Sequence, residues 1–525
     1  LGNRTGSPIQ GSVDAMQVYA LTGVVPEIQA YAMAKYSRSA QSMRESIGEL
    51  SAQRAEQFLD TFYFQYGHRS IADLAHIALA IEEISILAAI RVVDEPLWDG
   101  QERSTRYQDF RKSGYHTPEE VAGTSQAARY VETADALFAA YHHLSRRLLD
   151  LLTEAYPCPA GGDDGAHRRT LRARAFDVAR YLLPLATRTS VGQITSARVL
   201  ERQIGRLGAD PLAELRAIGM KMREACRTPA FDLTSERLGK LLHGRLESVP
   251  GLKEELAPVA PAPTLVKYAD PSCYPPDTRA AFASLAERLL DGIEPDVNAS
   301  VQLVPPTSLE IDAVTALIYR VDRGGRSYAQ VQAAVENLTE AEIDEVLEAA
   351  FQRRGPHDEW LRELHAGYPL TFDIMIDAGA FRDLHRHRRC VQIIQPFTTA
   401  LGFDDPRDVV IQGLGAAAPA ALAAGVDEEL RATLDLAGAG VREVAAVSDE
   451  ASAYLLPMGY RVRAAFKMDL AEAAYISELR SKPGGHFSYR RAAYAMYQAL
   501  AAQHPTLARF IRVTDPDARD DMLER

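Results

Sequence analysis

Phe381-Arg382-Asp383-Leu384-His385-Arg386-His387-Arg388-Arg389-Cys390 is the stretch on which the reading of this chain turns. Four arginines and two histidines fall between Arg382 and Arg389, in a protein whose net charge is −13. Duplex binding depends on broad phosphate neutralisation, so the overall acidity argues against a nucleic-acid partner. A local basic cluster in an acidic chain suits a small anion instead. The planar guanidinium fork binds phosphate or carboxylate bidentately and keeps its charge. The competing reading is a solvated helix face or an ion-pair network. His385 and His387 lie two apart beside cations with no cysteine array, so no metal site is expected. Cys390 has cations next to it, which lower a thiol pKa, and is a weak candidate nucleophile.

Outward from that stretch, 525 residues are too many for one core and predict two to four domains. The apolar share of 47% and charged share of 25% are ordinary for a soluble globular chain. Leu74–Val93 is the longest apolar run, but Glu82 and Glu83 interrupt it, so a buried helix is expected there rather than a membrane span. Cys158, Cys226, Cys273 and Cys390 are widely spaced, which fits a reducing cytoplasm better than a disulfide framework.

In chain order, Gln17–Leu21 reads as a short strand and Val24-Val25-Pro26 as the start of a helix through Ser37. Residues 51–66 read as a helix. The stretch 71–93 follows as one long helix, with Leu74, Ile77, Ile81, Ile84 and Leu87 at helical spacing. Ser70 is its expected N-cap, with Asp73 three residues on. Further helices are expected over 117–155, 168–182, about 195–206 and 211–226. Seven prolines between 249 and 277 predict a linker or stretched arm. After it the pattern repeats. Gln302-Leu303-Val304-Pro305-Pro306 and a helix at 309–320 echo residues 17–37, and a helix at 340–353 echoes 51–67. Tyr454-Leu455-Leu456-Pro457 repeats Tyr181-Leu182-Leu183-Pro184. A period of half the chain implies two homologous domains rather than a solenoid.

These residues resemble the flavin-dependent thymidylate synthases, whose signature is Arg-His-Arg-x-x-Ser-x-Asn-x-x-Ser-x-Arg, preceded by Gly-His-x-Ser-x-x-Glu. The first half has Gly67-His68-Arg69-Ser70-Ile71-Ala72-Asp73, then Asp94-Glu95-Pro96 where Arg-His-Arg belongs, then Glu102-Arg103-Ser104-Thr105-Arg106 as the signature's end. Arg180 precedes its Tyr-Leu-Leu-Pro, and Ser196-Ala197-Arg198 stands for the family's Asn-x-Arg. The second half keeps Arg386-His387-Arg388 and Leu479-Arg480, but has Val391, Ile393, Pro396, Thr398 and Ala453 at the other signature positions. The resemblance implies an α+β, mainly helical fold of two tandem thymidylate synthase-complementing-protein-like domains. Their expected limits are 1–248 and 298–525, with a Pro-rich linker and extension at 249–297.

The resemblance also implies a division of labour, because in that family one nucleotide site is built by two subunits. The first half would supply Glu102, Ser104, Arg106 and Arg180, and the second Arg386 and Arg480. Arg386 and Glu102 would be catalytic, with Arg106, Arg180 and Arg480 on the phosphate of the nucleotide. FAD would meet His68, Ser70, Asp73, Ser196, Arg198, His387 and Arg388. The reciprocal site, lined by Asp94, Thr398 and Ala453, would be dead. The implied reaction converts dUMP to dTMP with methylenetetrahydrofolate and FAD reduced by NADPH, in a homodimer that makes a pseudo-tetramer of domains. Two rivals stay open. Asp383 stands where the family places a pyrimidine-contacting Gln, which motivates a flavoenzyme acting on another pyrimidine nucleotide. Drift of both halves would leave a non-catalytic nucleotide-binding protein.

Overall fold

The computed structural model describes residues 23–36, 69–242, 252, 256–267, 269–354, 361–364, 370–387, 389–508, 511–518 and 522–524. The expected strand at 17–21 and helix at 51–66 lie outside these residues, as do His68 and Arg388.

In the first half the described elements are α1 (Pro26–Tyr36), β1 (His76–Ser85), α2 (Ile86–Val93), β2 (Asp99–Glu102), α3 (Ala127–Ala155), α4 (Asp164–Ala179), β3 (Arg188–Ser196), α5 (Ala197–Gly208), α6 (Ala213–Arg227) and α7 (Leu233–Leu242). The second half brings α8 (Tyr274–Leu289), β4 (Val301–Val304), α9 (Leu309–Val321), α10 (Tyr328–Glu336), α11 (Glu340–Phe351), β5 (Leu370–Asp377), α12 (Ala378–His385) and β6 (Cys390–Ile394). It ends with α13 (Pro406–Leu414), α14 (Ala418–Ala423), α15 (Val426–Ala445), α16 (Asp449–Ser452), β7 (Arg461–Met468), α17 (Leu470–Arg480), α18 (Phe487–Gln503) and α19 (Pro505–Ala508).

The chain divides into two compact units. The smaller comprises residues 1–77, 196–198 and 225–267. Within it Glu27, almost fully buried on α1, accepts from the backbone N–H groups of Thr264 (2.9 Å) and Leu265 (3.2 Å). The larger unit, residues 78–195, 199–224 and 268–525, holds the parts of both halves that matter for the arginine cluster.

The duplication is visible as shared topology. The first sheet runs β1-β3-β2 and the second β4-β5-β7-β6, so β5-β7-β6 repeats β1-β3-β2. Register agrees: Glu102 pairs with Val191 in the first sheet, and Ile394 with Ala464 in the second. Each half passes from its first long strand straight into an eight-residue helix, α2 or α12. Both helices are N-capped by a side-chain oxygen, Ser85 Oγ from Ala88 N and Asp377 Oδ1 from Ala380 N, which satisfies an orphan amide of the first turn.

The two copies meet at their Leu-Leu-Pro segments around a local two-fold axis. Leu185 N donates to Leu456 O (2.9 Å), and Met458 N donates to Leu183 O (2.9 Å). Ala186 N donates to Tyr454 O (2.6 Å), mirrored by Gly459 N to Tyr181 O (3.0 Å). Gly459 is required at this seam, since a Cβ there would stand 2.7 Å from the Tyr181 ring and 3.0 Å from its carbonyl oxygen. A separate apolar core, including Phe282, Leu317, Tyr319, Tyr328 and Val346, packs α8–α11 against the second sheet.

Two expectations need correction. Residues 71–93 are not one helix: Arg69–Leu74 is a 3₁₀ turn, followed by β1 and α2. Ile77 and Ile81 face inward with even spacing, as a strand requires, and Ile84 rejoins them at odd spacing because Glu83 adopts a positive φ of 57°. That irregularity mimics helical periodicity. Accordingly Ser70 caps no long helix, and the capping serine is Ser85. The Pro-rich stretch likewise gives way to α8 at Tyr274, because Pro275 and Pro276 occupy the first turn, where a missing N–H costs nothing.

Candidate functional site

Arg106 follows β2 and is 6% exposed. Its Nε and Nη2 donate to Asp177 Oδ1 (2.6 Å) and Oδ2 (3.0 Å), and its Nη1 donates to Tyr489 OH (3.1 Å). Nη1 and Nη2 also reach Gly484 O, each at 3.4 Å. Five donors thus meet protein acceptors, so Arg106 in this structure ties α4 of one half to α18 of the other rather than offering a free fork. Burial alone would raise the Asp177 carboxyl, but Arg106 outweighs it and holds Asp177 down at about 2.

Arg180 is the opposite case. It follows α4 directly and is 1% exposed, yet among the described residues its only hydrogen bonds are long ones from Nη1, to Thr105 Oγ1 (3.5 Å) and Asp383 Oδ2 (3.4 Å). Its Nε and Nη2 are buried without a hydrogen-bond partner among the described residues. Buried donors are almost always satisfied, so two orphaned nitrogens on one guanidinium mark a place for an acceptor.

The second half closes the cluster. Asp383, on α12, receives Arg386 as well as Arg180. Burial would raise its carboxyl, but Arg180, Arg386, Arg106 and Arg480 hold it well below the usual carboxylate range. Arg386 is the C-cap of α12, and its Nε is buried and unpartnered. Arg480, at the end of α17, donates from Nε to His387 Nε2 (2.8 Å), and lies 5.4 Å over the Tyr489 ring that Arg106 also faces at 5.8 Å. Arginines of the two halves therefore converge on one place.

Glu102, with a side chain only 4% exposed, accepts from Arg382 Nη2 at 2.6 Å. Ser104 Oγ accepts from the Arg106 amide at 3.3 Å. His387 is buried between Arg480 and Glu472 (3.4 Å), and burial pushes its pKa below the ordinary value. His385 bonds Gln392 Oε1 (2.7 Å) and Ile90 O (3.4 Å). Both histidines thus have both ring nitrogens engaged by protein. Burial pushes the Cys390 thiol up to about 12, which removes it as a nucleophile at neutral pH. Among the described residues no group of three or more His, Cys, Asp or Glu side chains is placed to hold a metal ion. No single helix among them is long and apolar enough to cross a membrane.

Of the residues expected at a cofactor, Asp73 and Arg198 pair with each other (3.0 Å) in the smaller unit, and Ser196 is buried at the end of β3. The Ser70 side chain, His68 and Arg388 lie outside what is described. Sequence reasoning did not single out Arg382, Asp177 or Tyr489 as members of the cluster. Arg382 and Asp177 carried a signal, standing four residues before Arg386 and three before Arg180, on the same helical faces. Tyr489 carried none.

At the two-fold-related position the residues differ. Ala453 and Thr398 stand where the first half has Arg180 and Arg106, and Asp94, the C-cap of α2, stands where the second half has Arg386. Asp94 is ion-paired with Arg362.

Comparison with known proteins agrees with this duplicated geometry. The family model described as thymidylate synthase complementing protein matches residues 22–230 and again 310–506. A UPF0159 protein of Chlamydia muridarum is 26% identical over 96% of this chain and 93% of its own length. One of Chlamydia pneumoniae is 26% identical over 95% and 92%, and one of Thermoplasma acidophilum 24% identical over 92% and 94%. The chain belongs to the thymidylate synthase complementing protein family, whose domain it carries twice.

Proposed function

We propose that this chain is a flavin-dependent thymidylate synthase-like enzyme with one composite site, converting dUMP to dTMP with methylenetetrahydrofolate and FAD reduced by NADPH. The observation that carries the reading is Arg180: a guanidinium 1% exposed, with two donors lacking any partner, beside Arg480 and Arg386 from the other half. A phosphate dianion supplies the acceptors such donors need. Arg180 and Arg480 bind the phosphate of the nucleotide, and Arg106 holds the two halves around it. Glu102 has one oxygen on Arg382, which leaves Oε1 to accept a pyrimidine N–H. The buried, unpartnered Nε of Arg386 fits an anionic ring, so Arg386 would hold the flavin. When bound, FAD supplies hydride to the methylene carried by the pyrimidine. Two family domains per chain make a homodimer the four-domain assembly.

The test is nucleotide binding by calorimetry and release of tritium from C5-labelled dUMP. Arg180→Gln abolishes both, and wild-type binding surviving in that variant overturns the reading. A purified protein that neither carries nor takes up flavin, judged by its visible spectrum, points to the non-catalytic alternative. Asp383 favours one further reading. An ionised carboxylate accepts hydrogen bonds and cannot donate them, so it prefers a base with an exocyclic amine. C5 exchange on dCMP but not dUMP selects that reading.

A further inference from the structure

The position related to the nucleotide site by the two-fold axis has lost its counterparts of Arg106 and Arg180 but has not lost its positive charge. Where α12 carries Asp383 and Arg386, α2 carries Arg91 and Asp94, the same i, i+3 pair with its signs exchanged. In α12 the pair closes on itself. In α2 it does not: Asp94 is taken by Arg362, which also donates to the Asp94 carbonyl oxygen at 3.2 Å.

Arg91 is left over. Its Nε is buried with no hydrogen-bond partner among the described residues, as is the Nε of Arg362. The surrounding carboxylates are already shared. Glu363 takes Arg279 (2.9 Å) and Arg320 (3.3 Å). Glu95 takes Arg202 (2.8 Å) and Arg206 (2.9 Å). Counting Asp210, which acts on Arg279, six arginines here face four carboxylates among the described residues. Burial, then the charge of Arg279 and Arg91, pushes the Arg320 guanidinium down to about 9. Arg362 and Arg320 keep side-chain exposures of 23% and 16%, so the cluster is reachable from solvent.

We propose that Arg91, Arg320 and Arg362 form a second, non-catalytic site that binds a phosphate group, either inorganic phosphate or that of a nucleoside monophosphate. An unshared guanidinium crowded by like charges is relieved by an anion with several acceptor oxygens. Catalysis is absent because Thr398 and Ala453 leave nothing to do the work of Arg106 and Arg180.

The experiment is equilibrium dialysis of the full chain against labelled inorganic phosphate. Wild type binds two phosphates per chain, Arg91→Gln and Arg180→Gln one each, and the double variant none. Loss of one charge-assisted partner weakens binding by about tenfold or more. An Arg91→Gln chain with wild-type stoichiometry and affinity overturns the proposal, as does a single phosphate on the wild type that Arg180→Gln removes. If Arg91→Gln does not fold, Arg180→Gln decides: one phosphate retained supports the second site, and none refutes it. An unchanged count in Arg180→Gln with a loss in Arg91→Gln sinks the nucleotide-site reading alone. Displacement from Arg180→Gln by dUMP at lower concentration than by unlabelled phosphate identifies a nucleotide ligand. Equal displacement identifies the free ion.

Discussion

Arg106 and Arg180 are two buried arginines within one cluster, and they should respond to mutation in opposite ways. Arg106→Ala removes both short hydrogen bonds to the fully buried Asp177 carboxylate and leaves it only the longer Arg174 pair at 3.5 Å, and breaking such a buried pair costs about 3 kcal/mol. A denaturant titration will show it as a lowered midpoint. Arg180→Met removes a charge that the protein itself barely satisfies. Its stability is expected within about 1 kcal/mol of wild type, while the nucleotide dissociation constant rises about 100-fold or more, measured by calorimetry. Asp177 also sets an acid limit. Its folded pKa of about 2 is below the ordinary 3.8, so its contribution is complete above that value and fades as pH falls towards 2. The loss amounts to roughly 2 kcal/mol, and Asp177→Asn should flatten that part of the stability profile in acid-unfolding curves. Neither the saturation of Arg106 nor the orphaned nitrogens of Arg180 was legible in the sequence. The first depends on Asp177, Gly484 and Tyr489, and the second on the burial of Arg180 beside Thr105 and Asp383, all brought together from distant segments by the fold.

At the scale of elements, the helices with clean caps and no irregularity were readable. The 309–320 helix is α9, capped by Ser308, and the 340–353 helix is α11, with Thr339 and Glu342 forming a capping box. The β1–α2 run was not, because Glu83 at φ 57° shifts the inward face by one residue and imitates a period of 3.6. The paired Leu-Leu-Pro segments were seen as a repeat, but their hydrogen bonding to each other depends on both copies being present. Gly459→Ala tests how tightly that seam is packed. Its added methyl group meets the Tyr181 ring and backbone, so a loss of about 1–3 kcal/mol is expected in thermal unfolding. Gly239→Ala, whose Cβ would meet nothing within 4 Å, is the matching control.

At the scale of the whole molecule, the proposed function places the nucleotide and the flavin at the Arg180 cluster alone, although the family domain is present twice, so the purified chain is expected to bind one FAD rather than two. Flavin absorbance against protein concentration checks this. The complementary losses in the two halves were legible because signature positions can be read one by one. The arginine cluster around Arg91 was not, because Arg279, Arg320 and Arg362 lie on α8, α9 and a 3₁₀ turn (Arg362–Leu364) outside any signature.

The seam at Pro184 and Pro457 has one more implication. Were the copies separate polypeptides, any codon change would appear on both sides of the axis, and an aspartate at the position of Arg386 would replace that arginine in every copy at once. Joining them in a single gene uncouples the two sides. One side of the axis can keep its arginines while its mirror image is free to change.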